Sequence, residues 1–145
     1  MRNEDMELHP WPKKIFIFDI HGTLNFNDLN ISHVPAQLMF DVLRKDKEIW
    51  IGVCSGMYTW MQLQEMSDHG LIPDFVIMKC DGYTFIKSLE KIYERKFDCR
   101  VIWVGDQQED REWAKTYGWD FLLPSEFTKK YLINAGHISR SDFTQ

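Results

Sequence analysis

The chain alternates short, continuous apolar runs with stretches in which apolar residues recur every three or four positions. The continuous runs are rich in β-branched and aromatic residues, which is typical of strands covered on both faces. The periodic stretches are typical of amphipathic helices. The pattern predicts strands at 13–19, 48–55, 74–78, 99–106 and 119–124, and helices at 35–47, 57–70, 84–96 and 109–118.

This alternation predicts an α/β domain, a Rossmann-like three-layer sandwich with a mostly parallel five-stranded sheet. No repeat, low-complexity segment or linker interrupts it, so the 145 residues are expected to form a single domain. Residues 1–12 are predicted to be an N-terminal arm, and residues 125–145 a polar tail with one helical turn around 126–133. The Asn- and Asp-rich segment 24–34 is expected to be a loop or a small hairpin flap.

The amino-acid composition indicates where the protein is located and which partners it lacks, and says less about its activity. Three cysteines without a CxxC pair argue against a disulfide framework or a zinc site, and favour a reduced, cytoplasmic location. A net charge of −5 supplies no broad basic footprint for nucleic acid. No apolar run approaches the roughly 20 residues that cross a bilayer. We therefore expect no membrane partner. The sequence leaves open whether the protein forms a homo-oligomer.

Four polar side chains stand at or just beyond the carboxyl ends of predicted strands, namely Asp19, Ser55, Lys79 and Asp106. In an open parallel sheet these ends face one crevice where ligands bind, so we expect the four to converge. Carboxylates attract a hard divalent cation such as Mg²⁺, while an ammonium and a hydroxyl suit the oxygens of an anion. An aspartate held there can act as a nucleophile toward phosphorus. The pattern indicates phosphoryl transfer.

The same positions resemble four motifs of the haloacid dehalogenase (HAD) superfamily, in the same order. DIHGTL resembles the first motif, Asp-x-Asp-Gly-Thr-Leu/Val, and IWIGVCSG the second. VIMKCDGYTFIKSLEKI resembles the third, and VIWVGDQQEDREWAKTYGWDFLL the fourth. Only 31 residues separate Thr23 from Ser55, and 23 separate Ser55 from Lys79. These intervals leave no room for a cap domain, so the resemblance implies an uncapped, phosphatase-like member.

The resemblance also implies a role for each matched carboxylate. Asp19 would be the nucleophile that becomes an aspartyl-phosphate, and would also be a Mg²⁺ ligand. Asp106 would hold the metal directly, with Asp110 as a further ligand or as an anchor behind it. The residue at position 21, here His21, would offer its backbone carbonyl to the same metal.

The remaining matched residues would bind the phosphoryl group and shape the loop beneath it. Ser55 and the neighbouring Gly56 would bind phosphoryl oxygens together with Lys79, which would also neutralise the nucleophile. Lys87, inside the following helix, is a competing candidate for the third-motif lysine. The glycine at position 22 would allow a sharp turn under the ligand, and Thr23 would fix that turn by hydrogen bonds.

His21 departs from the family pattern, because family phosphatases have an aspartate there that protonates the leaving group and then activates water. Histidine can also act as a general acid and base. It is bulkier, however, and its cationic form is disfavoured beside a metal. Three outcomes stay open: a working acid and base, a slow phosphatase whose aspartyl-phosphate persists, or a binding protein on a disabled scaffold.

The expected function is Mg²⁺-dependent hydrolysis of a phosphomonoester, on a large substrate or one that supplies its own lid. The alternatives are a catalytically impaired regulatory or binding protein of this fold, and a nucleic-acid 3′-end phosphatase. Each residue also has an ordinary explanation: Asp19 or Ser55 as a helix N-cap, Lys79 as a solvated loop lysine, and Asp110 as part of the surface run EDRE. Only their joint spacing favours a site.

The aromatic residues are expected to serve packing in most places. The six tryptophans are better explained as core and packing residues than as a platform for stacking bases. Two aromatic residues follow Ser55 closely, Tyr58 and Trp60, and these are the ones expected to line the crevice.

Overall fold

The computed structural model describes residues 9–26 and 32–142. Its strands are β1 (Lys14–Asp19), β2 (Leu24–Asn25), β3 (Val34–Pro35), β4 (Ile49–Ser55), β5 (Phe75–Met78), β6 (Arg100–Val104) and β7 (Asp120–Leu122). Its α-helices are α1 (Ala36–Leu43), α2 (Thr59–Asp68), α3 (Gly82–Tyr93), α4 (Gln108–Tyr117) and α5 (Pro124–Phe127). Short 3-10 turns cover Lys79–Asp81 and Arg140–Asp142, and a π-helical segment covers Thr128–Ile133.

Five strands form one sheet in the order β5-β4-β1-β6-β7, and all four pairings are parallel. β1 lies in the centre of this sheet. The chain passes from β1 to β4 and β5 on one side, and later crosses to β6 and β7 on the other. The carboxyl edge between β1 and β6 is therefore the switch point at which open α/β sheets bind ligands.

Successive residues of β1 point to opposite faces of the sheet, and both faces are covered. Phe16 and Phe18 lie in a core with residues of α1 and α2, whereas Ile15 and Ile17 lie in a second core with residues of α3 and α4. All four side chains are fully buried, which explains why the run reads as continuously apolar. The predicted three-layer α/β fold is confirmed, and the described residues include no separate cap domain.

The C-terminal region contributes to the core, contrary to the prediction of a polar tail. Phe127 and Leu132 are fully buried in the same core as Phe16. The helical turn expected around 126–133 is present, as α5 followed by the π-helical segment. The prediction was wrong about polarity because two buried residues spaced five apart are too sparse to show an amphipathic period.

The two ends of segment 24–34 pair in parallel as β2 and β3, with Leu24 opposite Val34. The ends are therefore not the antiparallel arms of the predicted hairpin, and residues 27–31 lie outside the described residues. Residues 1–8 of the predicted arm also lie outside them. Trp11 of the arm packs edge-on against Tyr93, with ring centroids 5.1 Å apart, and its Nε1 donates to Asp98 at 2.7 Å.

The predicted helix positions are confirmed, with shifts at the ends. α1 ends at Leu43 instead of residue 47, and α3 begins at Gly82, two residues earlier than predicted. Of the helices in the described ranges, none combines the length and apolar character that crossing a bilayer requires.

Candidate active site

Three carboxylates meet at the carboxyl edge of the sheet, at its switch point. Asp19 ends β1, Asp106 follows β6, and Asp110 lies in the first turn of α4. One oxygen of each lies within 4.8 Å of an oxygen of the other two. Asp19 and Asp110 are buried and Asp106 is exposed, so the cluster opens to solvent at Asp106. Oxygen atoms in such a group can supply ligands to a hard divalent cation.

Lys79 reaches this cluster from the far side of β4. Its Nζ lies 2.7 Å from Asp110 Oδ1 and 3.8 Å from Asp19 Oδ1, and only 14% of its side chain is exposed. The alternative explanation, a solvated loop lysine, is therefore wrong. Burial alone would lower the pKa of Lys79, but the hydrogen bond to Asp110 and the charges of Asp19 and Asp110 raise it above its ordinary value. Lys87, the competing candidate, lies exposed on α3.

The pKa of Asp19 is raised although the Lys79 ammonium lies nearby. Burial and then the charge of Asp110 raise the pKa of Asp19 to about 7, with a smaller contribution from Asp106. Lys79 and the backbone N–H of Ile20 act in the opposite direction. Cations stabilise ionised carboxyl groups, so a bound divalent metal would favour the charged form of Asp19.

Asp110 is fully buried, so the alternative that placed it in a surface charge run is wrong. Its Oδ2 accepts a hydrogen bond from the backbone N–H of Gln107 at 3.2 Å, while its Oδ1 faces Lys79. A Cβ atom on Gly105 would lie 2.5 Å from Asp110 Oδ2, so a side chain at position 105 would displace this carboxylate. Asp110 thereby joins the end of β6, the start of α4 and Lys79.

The turn after β1 brings the backbone close to Asp106. Gly22 has a φ of +80°, and a Cβ atom there would lie 2.4 Å from Asp106 Oδ2, so glycine is needed for both conformation and space. The N–H groups of Thr23 and Leu24 both donate to the carbonyl of Ile20, at 3.2 and 3.0 Å. The buried Thr23 hydroxyl has no hydrogen-bond partner in the described structure. Thr23 therefore holds the turn by a hydrogen bond of its backbone N–H, and its hydroxyl takes no part.

Ser55 is buried at the end of β4, one residue beyond Cys54, which is opposite Asp19 in the sheet. Its Oγ accepts a hydrogen bond from the Met57 N–H at 3.0 Å, and its own proton is not used in that bond. The N-cap of α2 is Tyr58, so Ser55 is not the cap of that helix. A Cβ atom at Gly56 would meet nothing within 4 Å. The phosphate-binding role of Ser55 and Gly56 stays a prediction.

His21 pairs with Glu65, a residue for which the sequence predicts no role. Its Nε2 lies 2.8 Å from Glu65 Oε1 on α2, and 66% of its side chain is exposed. A second contact lies close by, because Phe26, which follows β2, stacks on His69, which follows α2, with ring centroids 3.9 Å apart. No sequence motif marks Glu65, since its pairing depends on where α2 passes the turn after β1.

A buried amide, Gln62, holds the loop after β4, and the sequence predicts no role for it either. Its Nε2 donates to the carbonyls of Met57 and Ile77, at 2.9 and 3.0 Å. These bonds tie the loop that follows Ser55 to the end of β5. A glutamine inside a helix carries no recognisable signal in the sequence.

The phenol of Tyr117 holds the turn that carries Lys79. Its hydroxyl donates to the Lys79 carbonyl at 2.7 Å. Its ring also occupies the space beside Gly82, where a Cβ atom would lie 2.5 Å away. Burial raises the pKa of Tyr117 above its ordinary value, so the hydroxyl keeps the proton that it donates.

Of the predicted site residues, the structure brings together Asp19, Lys79, Asp106 and Asp110, and it places Ser55 on the strand beside Asp19. The prediction for Tyr58 and Trp60 stays open, but both are largely exposed just beyond Ser55.

No protein-family model matches the chain, and comparison with curated proteins gives no match.

Proposed function

We propose that this protein is a Mg²⁺-dependent phosphomonoester hydrolase of the HAD type that acts through an aspartyl-phosphate on Asp19. The observation that carries the proposal is the convergence of Asp19, Asp106, Asp110 and Lys79 at the switch point of a parallel sheet. Three carboxylates fit a hard cation, and a buried ammonium fits the oxygens of a phosphoryl group. The order of the four motifs along the sequence supports the same proposal.

Asp19 would act as the nucleophile. One of its carboxylate oxygens attacks phosphorus, and the ester oxygen leaves with the bonding electron pair. Water then attacks phosphorus of the acyl phosphate, which releases inorganic phosphate and restores the carboxylate. The Lys79 ammonium, 3.8 Å from Asp19, favours the ionised nucleophile and faces the phosphoryl oxygens, for which Ser55 supplies a hydroxyl.

The carboxylate cluster would hold the metal. Asp19 and Asp106 are the ligands that we assign, with Asp110 as a third ligand or as the anchor of Lys79. The His21 carbonyl completes the proposed set. Bound Mg²⁺ would neutralise negative charge on the phosphoryl oxygens as the ester bond breaks.

His21 would serve as the acid and base of the reaction. It donates a proton to the departing ester oxygen and accepts one from the water that attacks later. Because Nε2 is engaged by Glu65, Nδ1 is the nitrogen left for that transfer. A carboxylate partner of this kind fixes the orientation of an imidazole ring.

A second candidate function is a protein of this fold that binds phosphate or metal without turnover. The observation that favours it is the exposed position of His21, whose Nε2 is already bonded to Glu65. A family phosphatase has a free carboxylate at this position. The two candidates therefore differ in turnover and share metal binding.

A phosphatase assay separates the two candidates. Hydrolysis of p-nitrophenyl phosphate and of a panel of alkyl phosphates is measured with and without Mg²⁺ over a range of pH. Mg²⁺-dependent turnover that is lost in Asp19→Asn supports the hydrolase. Turnover no higher than that of Asp19→Asn for every ester overturns it, and calorimetry with Mg²⁺ and inorganic phosphate then tests the binding protein.

A further inference from the structure

A cavity of about 450 Å³ opens along one face of α2, next to the candidate site. The residues that line it are spaced three or four apart on the helix and its entrance, and they include Met57, Trp60, Met61, Glu65 and Asp68. The proposed chemistry assigns no role to this cavity. Its lining combines an indole, an imidazole, a carboxamide, two thioethers and two carboxylates.

The cavity adjoins the reaction centre at two points. The backbone N–H of Met57, which lines it, donates to Ser55 Oγ at 3.0 Å. Glu65, which also lines it, contacts His21 at 2.8 Å, and His21 follows Asp19 by two residues. Because His21 is assigned to protonate the leaving group, a leaving group held at His21 would lie beside Glu65 of this cavity.

Trp60 is the tryptophan of the lining, and 67% of its surface is accessible. Tryptophan faces attract ammonium and guanidinium groups through their negative potential. A tryptophan exposed beside a reaction centre is thus available to contact a cationic substrate group. Met57 and Met61 add polarizable, adaptable surface around it.

The titratable residues of the lining are two carboxylates, Glu65 and Asp68, and one imidazole, His69, which stacks on Phe26. Glu65 contacts the imidazole of His21, whereas Asp68 accepts a hydrogen bond only from the neutral amide of Gln64, at 2.8 Å, among the contacts described for it. Neither lysine nor arginine occurs among the described residues that line the cavity. Such a lining attracts an organic cation and repels the phosphates of a nucleic-acid backbone.

We propose that this cavity is the leaving-group subsite and that it binds a cationic group, an ammonium or a guanidinium, carried by the substrate near its phosphate ester. This inference rests on the proposed hydrolase function. The same chemistry occurs in a small zwitterionic phosphomonoester and in a phosphopeptide with a basic residue beside the phosphorylated one. The experiment distinguishes these two sources.

The test compares substrates that differ only in charge. Phosphocholine is compared with its neutral isostere 3,3-dimethylbutyl phosphate, and a phosphoserine peptide with a neighbouring arginine is compared with the same peptide carrying citrulline. We expect kcat/KM to be roughly three- to tenfold higher for the cationic member of at least one pair. The pair that shows the preference identifies the source.

Variants of the cavity lining test whether the preference for cationic substrates arises in this cavity. Trp60→Leu and Asp68→Asn are each expected to bring the ratio of kcat/KM values within about twofold of unity. Leu63→Ala is the matched control, because Leu63 is exposed on the same helix outside the cavity. This control should leave the ratio unchanged. Equal kcat/KM values within both pairs, or a preference that survives both lining variants, overturn the inference.

Failure of the inference differs from failure of the proposed function. Turnover of p-nitrophenyl phosphate without a charge preference overturns the subsite and leaves the hydrolase intact. If no ester is turned over, the hydrolase fails and the cavity is tested by binding alone. Calorimetric titration with phosphocholine and with its neutral isostere then decides: tighter binding of the cation that Trp60→Leu abolishes supports the subsite, and equal binding overturns it.

Discussion

Lys79 and Asp110 form an ion pair that links the two halves of the sheet, with Lys79 Nζ 2.7 Å from Asp110 Oδ1. Lys79 follows β5, at one edge of the sheet, whereas Asp110 belongs to α4, which follows β6 on the other side of β1. Asp110 is fully buried, so water cannot replace the ammonium. The pair is therefore both a structural link and part of the proposed phosphoryl site.

Removal of one member of this pair should destabilise the protein strongly. Lys79→Met leaves the buried Asp110 charge without its cation, and we expect the free energy of unfolding in urea to fall by about 3–5 kcal/mol. The double variant Lys79→Met/Asp110→Asn should cost less than the sum of the two single variants. Lys87→Met is the control, because Lys87 is exposed on α3. A Lys79→Met effect as small as that of the control contradicts this prediction.

Stability of the metal-free protein should depend on pH through Asp19. Its pKa is raised from 3.8 to about 7, so between these values the folded state holds a proton that the unfolded chain has released. The contribution of this carboxyl to the free energy of unfolding therefore falls as pH rises through that interval, and stays low above it.

Asp19→Asn should remove that dependence. At about pH 8 and with a chelator present, we expect the variant to be more stable than the natural protein by about 1–3 kcal/mol. Urea unfolding at several pH values measures the slope, and Asp41→Asn, an exposed aspartate of α1, is the control. An unchanged slope in Asp19→Asn would show that the proton is held elsewhere.

Loss of Asp106 should weaken metal binding with little effect on the fold. Asp106 is exposed, so Asp106→Asn is expected to change metal-free stability by no more than about 0.5 kcal/mol. The Kd for Mg²⁺ should rise by about tenfold or more, as measured by calorimetry or by the Mg²⁺-dependent shift of the urea midpoint. Glu109→Gln is the control, because Glu109 is exposed three residues later, in the first turn of α4. Equal Kd values for both variants would remove Asp106 from the ligand set.

The role assigned to His21 predicts a dependence on the leaving group. An alkoxide needs a proton as it departs, whereas p-nitrophenolate does not, so His21→Ala should lower kcat about 100-fold or more for alkyl phosphates and far less for p-nitrophenyl phosphate. His137→Ala, at an exposed position of the C-terminal region, is the control. Equal losses on both kinds of ester would mean that His21 only positions the substrate. Higher turnover in His21→Asp would show that the histidine impairs the site.

The C-terminal region should prove to be a structural part of the domain. Phe127→Ala removes a fully buried ring that packs edge-on against Phe16 and Phe18, with centroids 5.4 and 5.0 Å away. We expect a loss of about 3–5 kcal/mol in the free energy of unfolding. Lys129→Ala, exposed two residues later, should change it by less than about 0.5 kcal/mol. A loss no larger than that of the control would show that the ring is dispensable.

Much of the fold was predictable because its signals are local. Strands buried on both faces read as unbroken apolar runs, as in β1 and β4, and the helices between them follow a period of three or four. The convergence of Asp19, Lys79 and Asp106 was predictable for a related reason. Parallel strands place their carboxyl ends at one edge, so strand-end residues are neighbours whatever their separation in sequence.

The side-chain contacts that could not be predicted from the sequence are contacts between different secondary-structure elements. Glu65 contacts His21 because α2 packs beside the turn after β1, and Gln62 bonds the Ile77 carbonyl because α2 also packs beside the end of β5. Neither position on α2 is marked in the sequence. The sequence likewise does not indicate that the Tyr117 hydroxyl donates to the Lys79 carbonyl. Thr23 matches a residue of the first motif, but backbone hydrogen bonds hold the turn and the Thr23 hydroxyl takes no part. Such pairings are set by packing angles, which no local pattern encodes.

The order of strands brings Asp19 together with two carboxylates that are far from it along the chain. β4 and β5 follow β1 along the chain, so one half of the sheet can form before β6 joins it. Until β6 and α4 dock, neither Asp106 nor Asp110 stands near Asp19, and the crowding of negative charge does not yet exist. If β6 docks after the rate-limiting step, that repulsion is absent from the transition state for folding. Under that order a divalent cation should slow unfolding of the finished domain while leaving its folding rate nearly unchanged.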